Sequence, residues 1–190
     1  MKKVFKNMMI ALSFLSMGMV TTSCEEGGIL SQLLPNLFGQ TETYNYEGSA
    51  TSECLTGAAS TMQWNYINTP TSVKITAPVR LTVKNSLTTL ELPSYIDGKV
   101  TVNNVTLYDL AMAASNDQSH TVLSVGESSS IDGSIQIGAA TYNAGTVYIS
   151  KAQATPESLI LDMTIYFAAQ NETDYTKAVN FSYNGKIVTE

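Results

Sequence analysis

The sequence predicts an all-β domain over residues 43–190, built as an antiparallel up-and-down barrel of about eight strands. Apolar residues recur with a period of two along most of that range, which is typical of strands with one buried face. Short turn signals separate the alternating runs at hairpin spacing. Helical segments of about 10–15 residues, which a parallel sheet would require between its strands, are missing from the pattern.

The predicted strands follow one another from Tyr44 onwards. The clearest is 73–83, where valine, isoleucine and leucine alternate with lysine, threonine and arginine. Pro78 falls on the polar face of this run and indicates a bend or an edge position. The other alternating runs are, in chain order, 43–50, 61–67, 87–92, 99–110, 134–142, 145–150, 158–167 and 178–188.

Turns and irregularities can also be predicted. Asp97–Gly98 and Asp132–Gly133 are two-residue hairpin signals. Asn103–Asn104 separates two apolar pairs of opposite parity, so we expect a bulge there. Residues 108–114 are predicted to form a short helix before a loop, and Asn184–Gly185 is predicted to bend or bulge the last strand.

The first 23 residues have the layout of a secretory signal peptide. Lys2, Lys3 and Lys6 precede an uncharged apolar run from Met8 to Val20, and small residues follow it. The run covers about 13 residues, whereas a helix that spans a bilayer needs about 20. The segment therefore predicts export rather than a transmembrane anchor.

Cys24 closes the stretch TTSC, which resembles the lipobox of bacterial lipoproteins, although Thr21 replaces the usual leucine. We expect Cys24 to carry the lipid and to begin the mature chain, followed by a tether over residues 24–42. The alternative is ordinary secretion with a disulfide between Cys24 and Cys54. Lipidation would instead leave Cys54 as a lone thiol packed in the core.

Charge restricts the partners and the location. The full chain has a net charge of −6, and loss of the signal removes three of its ten basic residues and none of its 16 acids, which gives −9. Such a chain repels nucleic acid and anionic lipid head groups, so membrane attachment would be through the lipid. Glu25 and Glu26 resemble the acidic export signals of surface lipoproteins, whereas in enteric bacteria an acid just after the cysteine can instead retain a lipoprotein in the inner membrane, so the surface and the periplasmic face both stay open. The predicted location is the cell envelope, lipid-anchored at the outer membrane.

Three stretches resemble the calycin-like β-barrel lipoproteins of Bacteroidetes-type bacteria. They are YNYEGSA at 44–50, LTTLELPSYIDGKVTVNNVTL at 87–107 and VNFSYNGKI at 179–187. The resemblance covers about residues 43–190 and implies a lipocalin-like antiparallel barrel closed by pairing the first strand with the last. It implies no reaction. Lipocalins proper carry Gly-x-Trp, whereas Met62 stands two residues before Trp64 here, so the ligand-transporting branch is not implied.

Residues suited to catalysis or metal binding are few. His120 is the only histidine and shares a loop-like stretch with Asp117 and several serines, which is ordinary for a polar loop. One histidine and one free cysteine cannot supply the usual zinc ligands, and no EF-hand loop occurs. The sequence therefore predicts no catalytic residue, no metal site and no cofactor, and we expect the protein not to be an enzyme.

Aromatic residues are the remaining candidates for ligand binding. We single out Trp64, Tyr66, Tyr148 and Tyr166. Tyr148 and Tyr166 lie opposite the main apolar rows of their strands. Such rings could stack on sugars or line a ligand mouth, and they are also common strand formers that cover a sheet.

Three functional hypotheses remain open at this point. The leading one is a lipid-anchored envelope barrel that binds an unidentified ligand, such as a small apolar molecule in the barrel mouth. The alternative is a structural or adhesive module with a solid barrel, whose outer face contacts a protein or a glycan. The third is an envelope hydrolase with a pair of inward carboxylates. A packed interior would disfavour the first, and a patch of coplanar tyrosines on the outer face would favour the second.

Overall fold

Eleven strands form one sheet in the computed structural model, which describes residues 41–188 except for the side chains of Thr76 and Ala77. The predicted signal peptide, Cys24 and nearly all of the predicted tether lie outside the described residues. The strands are β1 (Glu42–Ala58), β2 (Gln63–Tyr66), β3 (Thr71–Lys84), β4 (Leu87–Glu91), β5 (Tyr95–Asp97), β6 (Val100–Ala114), β7 (Thr121–Ser124), β8 (Ser130–Ile137), β9 (Ala140–Ala154), β10 (Ser158–Ala169) and β11 (Lys177–Ile187), with a 3₁₀ turn at Ala59–Thr61.

The strands occupy eight positions in a closed antiparallel barrel, because two segments share each of three positions. β2 and β3 lie in line beside β1, β4 and β5 lie in line beside β6, and β7 and β8 lie in line on the other side of β6. Each position pairs with the next one along the chain, and β11 pairs with β1 to close the circle. The predicted up-and-down barrel of about eight strands is therefore confirmed.

Two of the predicted irregularities are present. The register of β1 against β3 shifts opposite the part of β3 that contains Pro78. The register of β6 against β8 shifts between Asn103 and Thr106, and Asn104 has a φ of 39°. The bulge lets the apolar side chains on both sides of it face the same core.

Several predictions for local structure are wrong. Asp132–Gly133 forms no hairpin turn, because it lies inside β8 opposite the bulge of β6, and the predicted run 134–142 is divided by the β8–β9 turn. Residues 108–114 belong to β6 rather than to a short helix, because this stretch is needed to pair with β4 and β7. Leu110 and Met112 are buried there, at the two-residue spacing of a strand. Asn184–Gly185 does not form a bulge in the last strand, since β11 keeps an unbroken register from Lys177 to Ile187 against β1.

The interior of the described barrel is a packed core. Tyr46, Phe167 and Phe181 are 0–1 % exposed, so no water-sized space borders their side chains. The other large interior side chains with almost no exposure are Leu81, Leu90, Leu107, Leu110, Leu123, Ile135, Leu159 and Leu161. An eight-stranded barrel can hold one small ligand or be filled by its own side chains, and this one is filled.

The two ends of the barrel carry different connections. The N-terminal end has the start of β1, the β3–β4 and β9–β10 turns and the β6–β7 connection. The distal end has the β1–β2 hairpin, the β5–β6 and β8–β9 turns and the β10–β11 connection, residues 170–176. No helix in residues 41–188 is long and apolar enough to cross a membrane.

Candidate binding site on the outer face

An aromatic and apolar row crosses the outer face of the barrel near its distal end. Strand register places Tyr66 of β2 beside Leu55 of β1, then Ala178 of β11 and Tyr166 of β10. These residues alternate with inward-facing neighbours, so all four side chains point away from the core. Ala178 is nevertheless 0 % exposed, which shows that larger side chains cover it on the outside.

Trp64 and Tyr166 lie close together on this face. Their ring centroids are 5.9 Å apart and their planes are tilted by 53°. β1 and β11 lie between their strands, so the two backbones are about 14 Å apart at about 4.8 Å per strand, and the rings can meet only above those strands. Trp64 can lie close to β1 because Gly57 stands opposite it, and a Cβ on Gly57 would come within 3.0 Å of the indole.

Tyr175 extends the row beyond the end of the strands. Its ring centroid is 6.2 Å from that of Tyr166, with a tilt of 46°. The Tyr175 ring lies against Gly145 of β9, where any side chain would overlap it. We call Trp64, Tyr66, Tyr166 and Tyr175 the aromatic patch.

A cavity of about 460 Å³ adjoins the patch at Tyr175. It lies between β9 and the β10–β11 connection, and it is open to solvent. Its lining mixes small apolar and polar side chains: Asn143, Ala144, Gly145, Ala168, Ala169, Gln170, Asn171, Glu172, Thr173 and Tyr175. Tyr175 therefore belongs both to the patch and to the lining of the cavity.

A polar row runs beside the aromatic row, one step nearer the N-terminal end. It contains Glu53 of β1, Asn180 of β11, Thr164 of β10 and Tyr148 of β9, which are paired in register across the sheet. Thr164 donates a 2.8 Å hydrogen bond to the Asn180 side-chain oxygen, and the Asn180 amide donates a 3.0 Å bond to Glu53. Tyr148 is 63 % exposed.

The charge around the patch is acidic. Glu53 lies in the polar row, Glu172 lines the cavity, and Asp174 accepts a 2.9 Å hydrogen bond from the Ser60 hydroxyl. Lys177 directly precedes Ala178 of the aromatic row, and its Nζ lies 4.5 Å from the centroid of the Tyr142 ring. That cation–π contact draws the ammonium towards the end of the barrel and away from the patch. Lys151, paired with Asp162, lies on the outer face beyond the polar row.

Three of the four predicted binding residues are brought together. Trp64, Tyr66 and Tyr166 lie in the aromatic patch, and Tyr148 lies in the adjoining polar row. Tyr175 is a member that the strand pattern could not find, because it lies in a connection with no alternation to show its direction. The signal available was compositional: a tyrosine close in sequence to the start of the last strand.

The interior holds one buried acid, Asp97, which the sequence marks only as a turn residue. It is 2 % exposed and accepts hydrogen bonds from Thr71 at 2.9 Å and from the Cys54 thiol at 3.4 Å. Burial, with a further contribution from Asp97, raises the pKa of Cys54 to about 12. The thiol is therefore protonated at neutral pH and is not a reactive thiolate. Cys54 is a buried core residue, as expected for a lone thiol.

The His120 loop does not have the geometry of a catalytic triad. The Ser119 hydroxyl lies 2.7 Å from Asp117 and 2.9 Å from the His120 ring, so the serine stands between the acid and the imidazole. In a triad the imidazole takes the middle place. The other ring nitrogen lies 2.9 Å from the Gln153 amide. Hydrogen bonds from Ser115 and Ser119 hold the pKa of Asp117 well below its ordinary value.

Other arrangements with recognisable chemistry are not formed in residues 41–188. No group of three His, Cys, Asp or Glu side chains is placed to hold a metal ion. Asp97 is the one buried carboxylate in this part of the chain, so no inward pair is present.

No family model, no curated protein and no solved structure matches this chain. The class of protein therefore rests on the geometry described above. It is a closed, antiparallel, eight-position barrel with a filled interior and an aromatic patch on its outer face.

Proposed function

We propose that this protein is a non-enzymatic binding module of the cell envelope, anchored through a lipid on Cys24, which contacts its partner through the aromatic patch. The large interior side chains of the described barrel are almost wholly buried, whereas a group of aromatic rings lies on the outside at one end. Clusters of this kind on a surface commonly mark interaction sites.

The packed interior argues against a ligand held in the barrel mouth. Below the distal end, Tyr95 and Phe181 lie 5.9 Å apart, and Phe181 stacks on Tyr183 at 6.3 Å. Lys177 and Tyr142 lie against each other at the distal mouth. A ligand in that mouth would have to displace these side chains, whereas a partner on the outer face would displace only water.

The direction of β1 is compatible with an anchor at Cys24. Glu42 lies at the N-terminal end, and Leu55 of the aromatic row lies 13 residues further along β1. At about 3.3 Å per residue, that path is on the order of 40 Å. A lipid attached upstream of Glu42 would therefore leave the patch at the free end of the barrel.

Metabolic labelling with a fatty-acid analogue tests the anchor. We expect the full-length protein to be labelled, Cys24→Ala to lose the label, and Cys54→Ala to keep it. The second variant is the matched control because it removes the chain's other cysteine. A label that survives Cys24→Ala, or one that Cys54→Ala abolishes, would contradict the anchor.

Native mass spectrometry of the full-length protein from its own host tests the filled interior. We expect the mass of the chain from Cys24 plus its acyl groups and nothing more. A stoichiometric apolar molecule that remains bound in the Trp64→Ala variant would place the ligand inside the barrel and overturn the proposal.

A further inference from the structure

We infer that the ligand of the aromatic patch is a single chain of uncharged sugar residues. This rests on the proposed function and names the class of ligand that the patch and its surroundings fit. The inference depends on the tilt of the rings, the hydrogen-bonding groups beside them and the sign of the nearby charge.

The ring geometry fits one flexible chain better than a flat crystalline surface. Trp64 and Tyr166 are tilted by 53°, and Tyr166 and Tyr175 by 46°, so neighbouring rings of the patch are not coplanar. The rings therefore do not form the flat platform of coplanar tyrosines considered from the sequence. Each ring face is electron-rich and attracts the C–H groups on the apolar face of a pyranose. Successive sugar residues of a flexible chain can each turn to meet a ring of different orientation.

The rings are also fixed in advance. Trp64, Tyr166 and Tyr175 are half-buried, and they are held by each other and by close contact with Gly57 and Gly145. Binding therefore need not order them, which keeps the entropic cost low. Tyr66, which is 59 % exposed, leaves a larger ring face open beside Trp64.

The polar row supplies hydrogen-bonding groups at the right place for hydroxyls. In the chain Thr164 to Asn180 to Glu53, each side chain uses only part of its capacity. The second Asn180 N–H can donate, and the second Glu53 oxygen can accept. A sugar hydroxyl both donates and accepts, so the rim of a pyranose stacked on Tyr166 could bond to both groups.

The charge around the patch excludes anionic ligands. Glu53, Glu172 and Asp174 would repel phosphate, sulfate or uronic acid groups, and Lys177 is already engaged with Tyr142. A basic peptide would satisfy the acids. A lysine-rich peptide would offer fewer hydroxyls to the polar row, so we favour the uncharged glycan. Binding of such a peptide is one of the outcomes that the test below can detect.

The cavity beside Tyr175 extends the site for one more sugar residue. Its lining includes the small side chains of Ala144 and Ala168 and the polar side chains of Asn143, Asn171 and Glu172. The cavity thus combines apolar and hydrogen-bonding groups, as the patch and the polar row do together. A chain that leaves Tyr175 would therefore meet similar chemistry in the cavity.

Calorimetric titration of the full-length protein in detergent tests the inference. The probes are an array of neutral α- and β-linked hexasaccharides, a sulfated hexasaccharide and a lysine-rich peptide. We expect at least one neutral hexasaccharide to bind and the sulfated one not to bind. Trp64→Ala and Tyr166→Ala should each weaken binding about tenfold, which corresponds to about 1.4 kcal/mol. Asn180→Ala should weaken it as well.

Two matched controls define the site. Tyr166→Phe keeps the ring and should bind within about threefold of the native chain. Tyr108→Ala removes an exposed tyrosine from β6 and should leave binding unchanged. If Tyr108→Ala lost as much affinity for the hexasaccharide as Trp64→Ala does, a binding site at the aromatic patch would be contradicted.

The outcomes separate the two proposals. Binding of the peptide but of no neutral glycan, with loss in Trp64→Ala, would overturn the glycan and leave the outer-face site standing. Glycan binding that neither Trp64→Ala nor Tyr166→Ala weakens would overturn both. Failure of every neutral hexasaccharide to bind would overturn the glycan inference.

Discussion

Phe167 and Tyr166 are neighbours on β10, but they belong to two regions with different roles. Phe167 points inward and is 0 % exposed, so its whole surface is used in packing. Tyr166 points outward, touches Trp64 and Tyr175, and remains half-buried. One step along a strand therefore separates an aromatic residue of the packed core from one that lies on the outer face.

The arrangement of the rings differs less sharply than their exposure. Inside the barrel, Phe181 is nearly parallel to Tyr183, with an interplanar angle of 11°, and is tilted by 36° against Tyr95. On the outside, the rings of the patch are tilted by 53° and 46°. The interior rings are closed in by the wall on all sides, whereas the outer rings meet only their neighbours along the sheet. Aromatic content alone therefore does not indicate a candidate binding site. The face of the strand on which each ring lies must be known as well.

Phe167→Ala should have the largest effect on stability and Tyr166→Ala a much smaller one. We expect the free energy of unfolding to fall by about 3–5 kcal/mol for Phe167→Ala, because it leaves a cavity in a packed core. Tyr166→Ala should cost about 1 kcal/mol, the size of its ring contacts. Urea unfolding followed by circular dichroism measures both. Equal costs would mean that the outer face is as tightly packed as the core.

Substitution of the buried acid, Asp97, should have the next largest effect on stability. Asp97→Ala leaves the Thr71 hydroxyl and the Cys54 thiol without their acceptor, so we expect a loss of about 1–3 kcal/mol in the free energy of unfolding. Asp162→Ala, on the outer face of β10, is the matched control and should stay within about 0.5 kcal/mol of the native chain. A loss as large for Asp162→Ala would contradict a special role for the buried position.

Alkaline pH should destabilise the barrel through its interior thiol. An unfolded thiol loses its proton near pH 9.0, whereas burial keeps Cys54 protonated to about 12. Its contribution to stability is therefore complete below pH 9 and is lost between pH 9 and 12, as the unfolded state gains the charged form. Burial also raises the pKa of Tyr46, Tyr95 and Tyr183, which adds to the loss above pH 10.

Urea unfolding at several values between pH 8.5 and 10 isolates the thiol. The slope of the free energy of unfolding against pH should be shallower in Cys54→Ala than in the native chain. An identical slope would show that the Cys54 thiol titrates normally in the folded state.

Tyr148→Ala should have the smallest effect on stability. Its ring is 63 % exposed, so the free energy of unfolding should change by less than about 0.5 kcal/mol. Affinity for a neutral hexasaccharide should fall less than in Trp64→Ala, because Tyr148 flanks the patch. A larger loss of affinity than in Trp64→Ala would move the centre of the site to the polar row.

Strand periodicity was enough to predict the barrel and much of its detail. Alternation in β3 and β11 identified inward faces, and the parity change at Asn103–Asn104 identified a bulge, because both features are local in sequence. The stretch 108–114 was mistaken for a helix because its small residues have little strand preference. Pairing with β4 and β7, which are distant in the chain, decided its conformation.

The site was predictable only in part for the same reason. The outward parity of Tyr166 and Tyr148 could be derived from their own strands. That Trp64 would reach Tyr166 depends on the closure of β1 with β11, which brings together residues about 100 positions apart in the sequence. The burial of Asp97 likewise depends on β1 and β3 passing beside β5, and nothing in the Asp97–Gly98 turn signal indicates it.

NMR spectroscopy of the full-length protein, titrated with the neutral hexasaccharide that binds best, tests the central claim most directly. The spectra should follow amide and aromatic ring signals together. We predict that the changes cluster at Trp64, Tyr166 and Tyr175, while the ring signals of Phe181 and Tyr183 keep their positions. Changes centred on Phe181 and Tyr183, with Trp64 unaffected, would show that the ligand enters the barrel and would contradict a binding site on its outer face.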